Sequence, residues 1–143
     1  MPEVKLTSEE LRYIALLQDL TGVTVHDCIV SEENNTVIYI VAPGQAGLAV
    51  GKGGANVKRL SKILGKRIEV VEYADDLEGL VRNLFLPARV LNTRLVSVNG
   101  KKVLYVTVDP KDKGIAIGKD GRNVVKARLV LKRYYDIDVV SIV

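Results

Sequence analysis

The chain has 143 residues, room for one ordinary domain or two very small ones, and its 48% apolar and 27% charged residues give a globular rather than a disordered balance. Its single cysteine excludes an internal disulfide or a cysteine-based zinc site and points to a reducing compartment. No uninterrupted apolar run is long enough to span a membrane and there is no charged-then-apolar leader, so a cytoplasmic protein is expected.

The elements read in chain order. Thr7-Ser8-Glu9-Glu10 is a capping box that starts a helix, with Leu6 and Leu11 as its hydrophobic staple. Leu11, Ile14, Ala15, Leu17 and Leu20 follow helical spacing, and Gly22 ends the helix. Val23–Val30 and Thr36–Ala42 are β-branched runs on either side of a polar turn, hence a hairpin. A short helix over Ala46–Val50 leads into a Gly-rich turn at Gly51–Gly54. A second helix comes next, with Val57, Leu60, Ile63 and Leu64 on one face, stopped by Gly65. Arg67–Tyr73 closes the unit as a strand. Asp75 or Asp76 then caps a helix that runs to about Pro87. Val90–Val98 and Lys102–Val108 flank Asn99-Gly100, a type I′ hairpin signal. A short helix over Lys113–Ile117, a turn at Gly118–Gly121, a helix to about Tyr134 and a strand over Ile137–Ile142 complete the chain.

The two halves repeat. Pro43–Val57 and Pro110–Val124 share Pro, Gly, Ala, Gly, Lys, Gly, Asn and Val at one constant offset, the one that carries Gly51 onto Gly118. Extended backwards, that offset aligns Val23 with Val90, and two extra residues are expected before the last strand. The division expected from it is residues 1–74 and 75–143. The link at Ala74–Asp75 carries no Gly, Pro or Ser run, so firm packing of the two modules is expected.

The formal net charge of +4 hides a segregation. Windows 43–68 and 110–135 hold 14 of the 21 basic residues and 2 of the 17 acidic ones, a net of +12 that leaves −8 elsewhere. Two basic segments at matching places in a repeat point to a polyanionic partner.

At each repeat a helix–Gly-x-x-Gly–helix step brings backbone amides and a helix N-terminus to one point, where glycine lets a phosphate chain approach. Lys52 and Lys119 put a cation there. V-G-K-G-G-A-N-V and I-G-K-D-G-R-N-V resemble the signature of the KH domain, and the element order is similar to its type II variant. The resemblance implies an α+β fold of two tandem type II KH domains, each α-β-β-α-α-β with a three-stranded sheet covered by helices. It implies single-stranded RNA as partner. The RNA-binding set is Gly51, Lys52, Gly53, Gly54, Lys58 and Arg59 in the first copy. In the second it is Gly118, Lys119, Asp120, Gly121, Arg122 and Lys126. The pair is similar to the tandem KH region of the NusA family, which implies a role in transcription termination or elongation beside RNA polymerase. Against that family's bacterial pattern, this sequence is expected to lack the polymerase-binding domain and the OB-fold domain, so RNA polymerase is an implied partner but its direct attachment does not follow from the resemblance. Asp120 stands where the first loop has Gly53, so the first loop is expected to grip backbone as well as the second or better.

Other classes fit less well. A P-loop needs four residues between its glycines and a Ser or Thr after its lysine. Here three residues separate Gly47 from Gly51, and Gly53 comes after Lys52. A dinucleotide fingerprint meets Asn56 where its third glycine belongs. His26 and Cys28 are the only residues of their types, so no catalytic constellation or metal site can be built around them. No enzyme, cofactor or metal is expected, and a monomer is. A KH-type factor of ribosome assembly or RNA processing is the competing reading. The single Phe and six Tyr argue against an aromatic stacking platform.

Overall fold

In the computed structural model, which describes residues 6–143, Thr7 and Glu10 close the anticipated capping box. The Thr7 N–H donates to Glu10 Oε1 at 2.9 Å, and the Glu10 N–H donates to Thr7 Oγ1 at 3.1 Å. Helix α1 (Ser8–Thr21) starts there and ends in left-handed Gly22. Its buried stripe is Glu10, Tyr13 and Leu17, whereas Leu11 is 54% exposed and Ala15 also faces solvent. Leu17 of the expected face lies in the core and Ile14 and Leu20 pack against it, so the expectation fails only at Leu11 and Ala15, whose place Glu10 and Tyr13 take. Strands β1 (Val25–Ser31), β2 (Thr36–Val41) and β3 (Arg67–Glu72) form one sheet in that order, antiparallel between β1 and β2 and parallel between β2 and β3. β2 is the central strand and is buried along its length. Val37, Tyr39 and Val41 pack with Tyr13, Leu17, Cys28, Leu60 and Ile68 in the core of this unit. The Tyr39 hydroxyl donates to the Tyr13 carbonyl at 2.9 Å, and burial, with Cys28 and Tyr13 nearby, pushes its ionisation well above the ordinary tyrosine value.

Between β2 and β3 lie α2 (Ala46–Val50), a single 3₁₀ turn at Lys52–Gly54, and α3 (Ala55–Leu64). The Glu72 carboxylate accepts from the Ala46 N–H at 3.1 Å, which ties the start of α2 to the end of β3. On α3, Leu60 is fully buried and Val57 and Leu64 pack against the core as expected, whereas Ile63 is 55% exposed.

The described residues divide into two compact units, one ending at Ala74 and one containing Asp75–Val143. The first five positions of the anticipated first module lie outside the described residues. In the second unit, Asp76 caps α4 (Leu77–Phe85), its carboxylate accepting from the Gly79 N–H at 3.1 Å. Strands β4 (Val90–Val98), β5 (Lys101–Val108) and β6 (Val139–Ile142) repeat the order and the antiparallel-then-parallel pairing. Asn99 and Gly100 both have positive φ, as the type I′ turn requires. Short α5 (Lys113–Ile117), a 3₁₀ turn at Lys119–Gly121 and α6 (Arg122–Tyr135) separate β5 from β6.

The constant offset does not survive either flank. Val25 pairs with Val41 and Val90 with Val108, so Val90 is the counterpart of Val25 rather than of Val23, and the second hairpin is the longer. Helix α6 has 14 residues where α3 has 10, one additional turn in place of the two residues expected. A whole turn lengthens a helix without rotating its buried face, which is why the repeat tolerates it.

Candidate nucleic-acid interface

Each Gly-rich turn must reverse the chain between two helices within four residues. Gly51 does so at φ 81°, ψ 165°, and Gly118 at φ 80°, ψ 166°, a conformation closed to other residues. Space gives a second reason. A Cβ on Gly51 would lie 2.8 Å from Asn56 Nδ2, and one on Gly118 would lie 2.9 Å from the Asn123 backbone N. The next positions coincide as closely: Gly53 at 61°, 20° and Asp120 at 57°, 26°, then Gly54 at 76°, 18° and Gly121 at 73°, 18°. Asp is among the few residues that enter the left-handed region at modest cost, so Asp120 keeps the backbone that glycine sets in the first copy.

The helices leaving these turns are open at their N-termini. α1 and α4 are capped by Thr7 and Asp76, with Glu9, Glu10 and Glu78 in their first turns. α3 and α6 begin at Gly54 and Gly121, with no side-chain cap and no acid in the first turn. Arg122 instead opens α6, and exposed Lys52 and Lys119 precede the two helices. Cations at the positive end of a helix dipole are unfavourable by about 0.3–1 kcal/mol each, unless an anion sits between them.

Beside α3 a groove of about 400 Å³ is lined by Val57, Lys58, Ser61, Lys62, Arg67 and Ile68. Apolar Val57 and Ile68 line it together with three cations, a surface suited to a base carried on a phosphate chain. Arg67 is partly engaged by Glu69 at 3.8 Å.

The structure brings Gly51–Gly54 and Gly118–Gly121 into matching turns and leaves Lys58, Arg59 and Arg122 exposed on the helices beyond them. Lys126 departs from the expected set. It is 8% exposed, sits on the stripe of α6 with Ala127, Val130 and Leu131, and is engaged within the protein. Helical spacing signals this, since Lys126 lies four residues before Val130. Lys132, one of the cations in the second basic window, is also occupied. Its ammonium meets Asp136 Oδ1 and Asp138 Oδ1, each at 2.7 Å. Those contacts push Lys132 up to about 12, and hydrogen bonds from Lys132 and the Lys102 amide hold Asp138 below the usual carboxylate range. Two further residues carry no role in the sequence reading: Asn56 and Asn123, whose side-chain amides donate to the Leu48 carbonyl at 3.1 Å and the Ile115 carbonyl at 2.7 Å. Their recurrence at the repeat offset is the signal that could have found them.

Among the described residues no helix is long and apolar enough to cross a membrane, and no group of three or more His, Cys, Asp or Glu is placed to hold a metal ion.

Two α-β-β-α-α-β units, each with helices meeting at a Gly-Lys-x-Gly turn, define a tandem KH-domain protein. A family model described as KH domain matches residues 11–105, and one described as NusA-like second KH domain matches residues 77–142. Relatives named "Probable transcription termination protein NusA" match along nearly the whole chain. The one from Halococcus morrhuae is 40% identical over 94% of this chain and 95% of its own. The one from Methanocaldococcus jannaschii is 32% identical over 100% of this chain and 77% of its own. The crystal structure of APE1850 superposes with a TM-score of 0.88 at 48% identity, covering 96% of this chain and 100% of that one. The chain belongs to the archaeal NusA-like family of KH-domain proteins.

Proposed function

We propose that this protein is a NusA-type transcription factor that binds single-stranded RNA and acts in termination or elongation. Each Gly-Lys-x-Gly turn holds a stretch of sugar-phosphate backbone. The observation that carries this reading is the repetition, within a few degrees, of one turn geometry at two helix N-termini that have no side-chain cap, no acid in the first helical turn, and a cation beside them. Within each turn the amides of Gly54 and Gly121 close on the carbonyls of Gly51 and Gly118 at 3.0 and 3.1 Å. In this reading the amides of Lys52, Gly53, Lys119 and Asp120 serve the phosphates. Lys52 and Lys119 neutralise them, and Lys58, Arg59 and Arg122 extend the positive surface. Lys126 has no part in it. The groove along α3 receives bases, which gives a modest preference for sequence.

The experiment is a salt titration of affinity for a single-stranded RNA of about 20 nucleotides. With about five phosphates neutralised, log K should fall against log salt with a slope of about −3 to −4. A slope near zero contradicts the reading. Isolation of the protein from cells tests the transcription role. Nascent transcripts or RNA polymerase should co-purify, and stable association with ribosomal subunits instead would contradict it.

A further inference from the structure

We propose that Asn56 and Asn123 are positioning residues that hold the two RNA-gripping turns in shape. The inference rests on reading those turns as phosphate clamps. At the end of a helix the last carbonyls have no partner further along the chain. α2 ends at Val50 and α5 at Ile117, each after five residues, too few to fix the direction of the next helix. Gly51 and Gly118 return their own N–H groups to Gly47 and Gly114, both at 2.9 Å. Leu48 and Ile115 then have carbonyls facing the next helix, and there Asn56 and Asn123 donate from Nδ2. One side chain therefore joins the end of the incoming helix to the start of the outgoing one, across the turn.

The same side chain packs where a Cβ of the first glycine would be. That hypothetical atom would come within 2.9 Å of Asn56 Cγ and 3.2 Å of Asn123 Cγ. Glycine and asparagine are thus fitted to each other: the missing Cβ admits the amide, and the amide fixes the angle between the helices. Asparagine suits the task because its short side chain presents two donors without charge. Aspartate would turn a second acceptor toward the carbonyl, and lysine could not stay within the turn. Neither asparagine needs to touch RNA to control how the amides at 52–53 and 119–120 are aimed.

The test uses the full chain with both sites changed together, Asn56→Ala with Asn123→Ala. Asn56→Leu with Asn123→Leu serves as a second pair that fills the same space without a donor. A third protein carries Lys52→Asp with Lys119→Asp. Binding to a single-stranded RNA of about 20 nucleotides is measured across salt, alongside thermal melting. Loss of alignment should weaken affinity about five- to tenfold for each asparagine pair, with a shallower salt slope and little change in melting. Wild-type affinity in both asparagine pairs, while the lysine variant binds poorly, overturns the positioning role and leaves the clamps standing. A lowered melting temperature with unchanged affinity and slope in the folded protein also overturns it, because that is the mark of a purely structural contact. If the lysine variant too binds as wild type, the clamp reading itself falls, and the positioning role with it.

Discussion

Asp120→Gly and its reciprocal, Gly53→Asp, isolate the one chemical difference between two turns of equal geometry. The backbone angles are 61° and 20° at Gly53 against 57° and 26° at Asp120, so the exchange changes charge without moving the chain. A carboxylate about 6 Å from a phosphate, at an effective dielectric constant of about 40–80, is repelled by about 0.7–1.4 kcal/mol. Asp120→Gly should therefore tighten RNA binding about three- to tenfold at low salt, and Gly53→Asp should weaken it by a similar factor. Both effects should shrink as salt rises above physiological strength, because the screening length then falls toward the separation of the two charges. Stability should change little in the first variant, because relief of left-handed strain at Asp120 and the greater unfolded-state freedom of glycine are each about 1 kcal/mol and oppose one another. Fluorescence anisotropy with a labelled RNA measures the affinities. Unchanged or weaker binding by Asp120→Gly, or an innocuous Gly53→Asp, would refute the phosphate-at-the-turn argument.

Gly51→Ala combined with Gly118→Ala should lower RNA affinity at least tenfold and cost about 1–3 kcal/mol of stability per site, since the new methyl meets Asn56 or Asn123 at a positive φ; urea titration and anisotropy measure the two effects. Tyr39→Phe removes the donor to the Tyr13 carbonyl and should destabilise the first unit by about 1–3 kcal/mol in urea, with RNA affinity at low denaturant unchanged. Asp138→Asn should lower the melting temperature at neutral pH relative to wild type. Because the folded carboxyl titrates below its unfolded value of 3.8, the advantage of wild type is present above that value and fades as pH falls through the folded one. Lys132 is held up to about 12 first by Asp136, which the variant keeps, and then by Asp138, so the part of the advantage that Asp138 adds is full below 10.5 and fades as pH rises toward about 12. Melting curves of both proteins from strongly acidic to strongly alkaline pH check both limbs.

What sequence alone reveals here is what is decided locally. The Thr7–Glu10 box, the Asp76 cap, the Asn99-Gly100 hairpin and both Gly-x-x-Gly turns are each fixed within a few residues, and each is present. The edges of the buried faces of α1 and α3 are not decided locally, although Ile14, Leu17, Leu20, Val57, Leu60 and Leu64 lie where spacing puts them. Leu11 to Leu17 is apolar at every position but Arg12, so spacing alone does not decide whether Tyr13 or Leu11 and Ala15 face the sheet. The sheet selects the stripe through Tyr13 and Leu17, whose partners Tyr39 and Val41 lie more than twenty positions away. Counting charges in windows likewise treats every lysine as free. The second window ends at Tyr135, just short of the Asp136 and Asp138 that occupy Lys132, and such counting takes no account of helical phase, which buries Lys126. Local spacing carries the last helix to about Tyr134, one residue short of the end of α6, whereas the repeat offset, with two added residues, understates the extra turn.

The central claim is that the two Gly-Lys-x-Gly turns together grip single-stranded RNA. Its most direct measurement is the affinity, at near-physiological salt, of the full chain carrying Lys52→Asp and Gly53→Asp with Lys119→Asp, compared with wild type on the same RNA. Both proteins should melt alike, because the changed positions are exposed, and the variant should bind at least a hundredfold more weakly, with a flatter salt dependence. A folded variant that still binds with wild-type affinity would contradict the account.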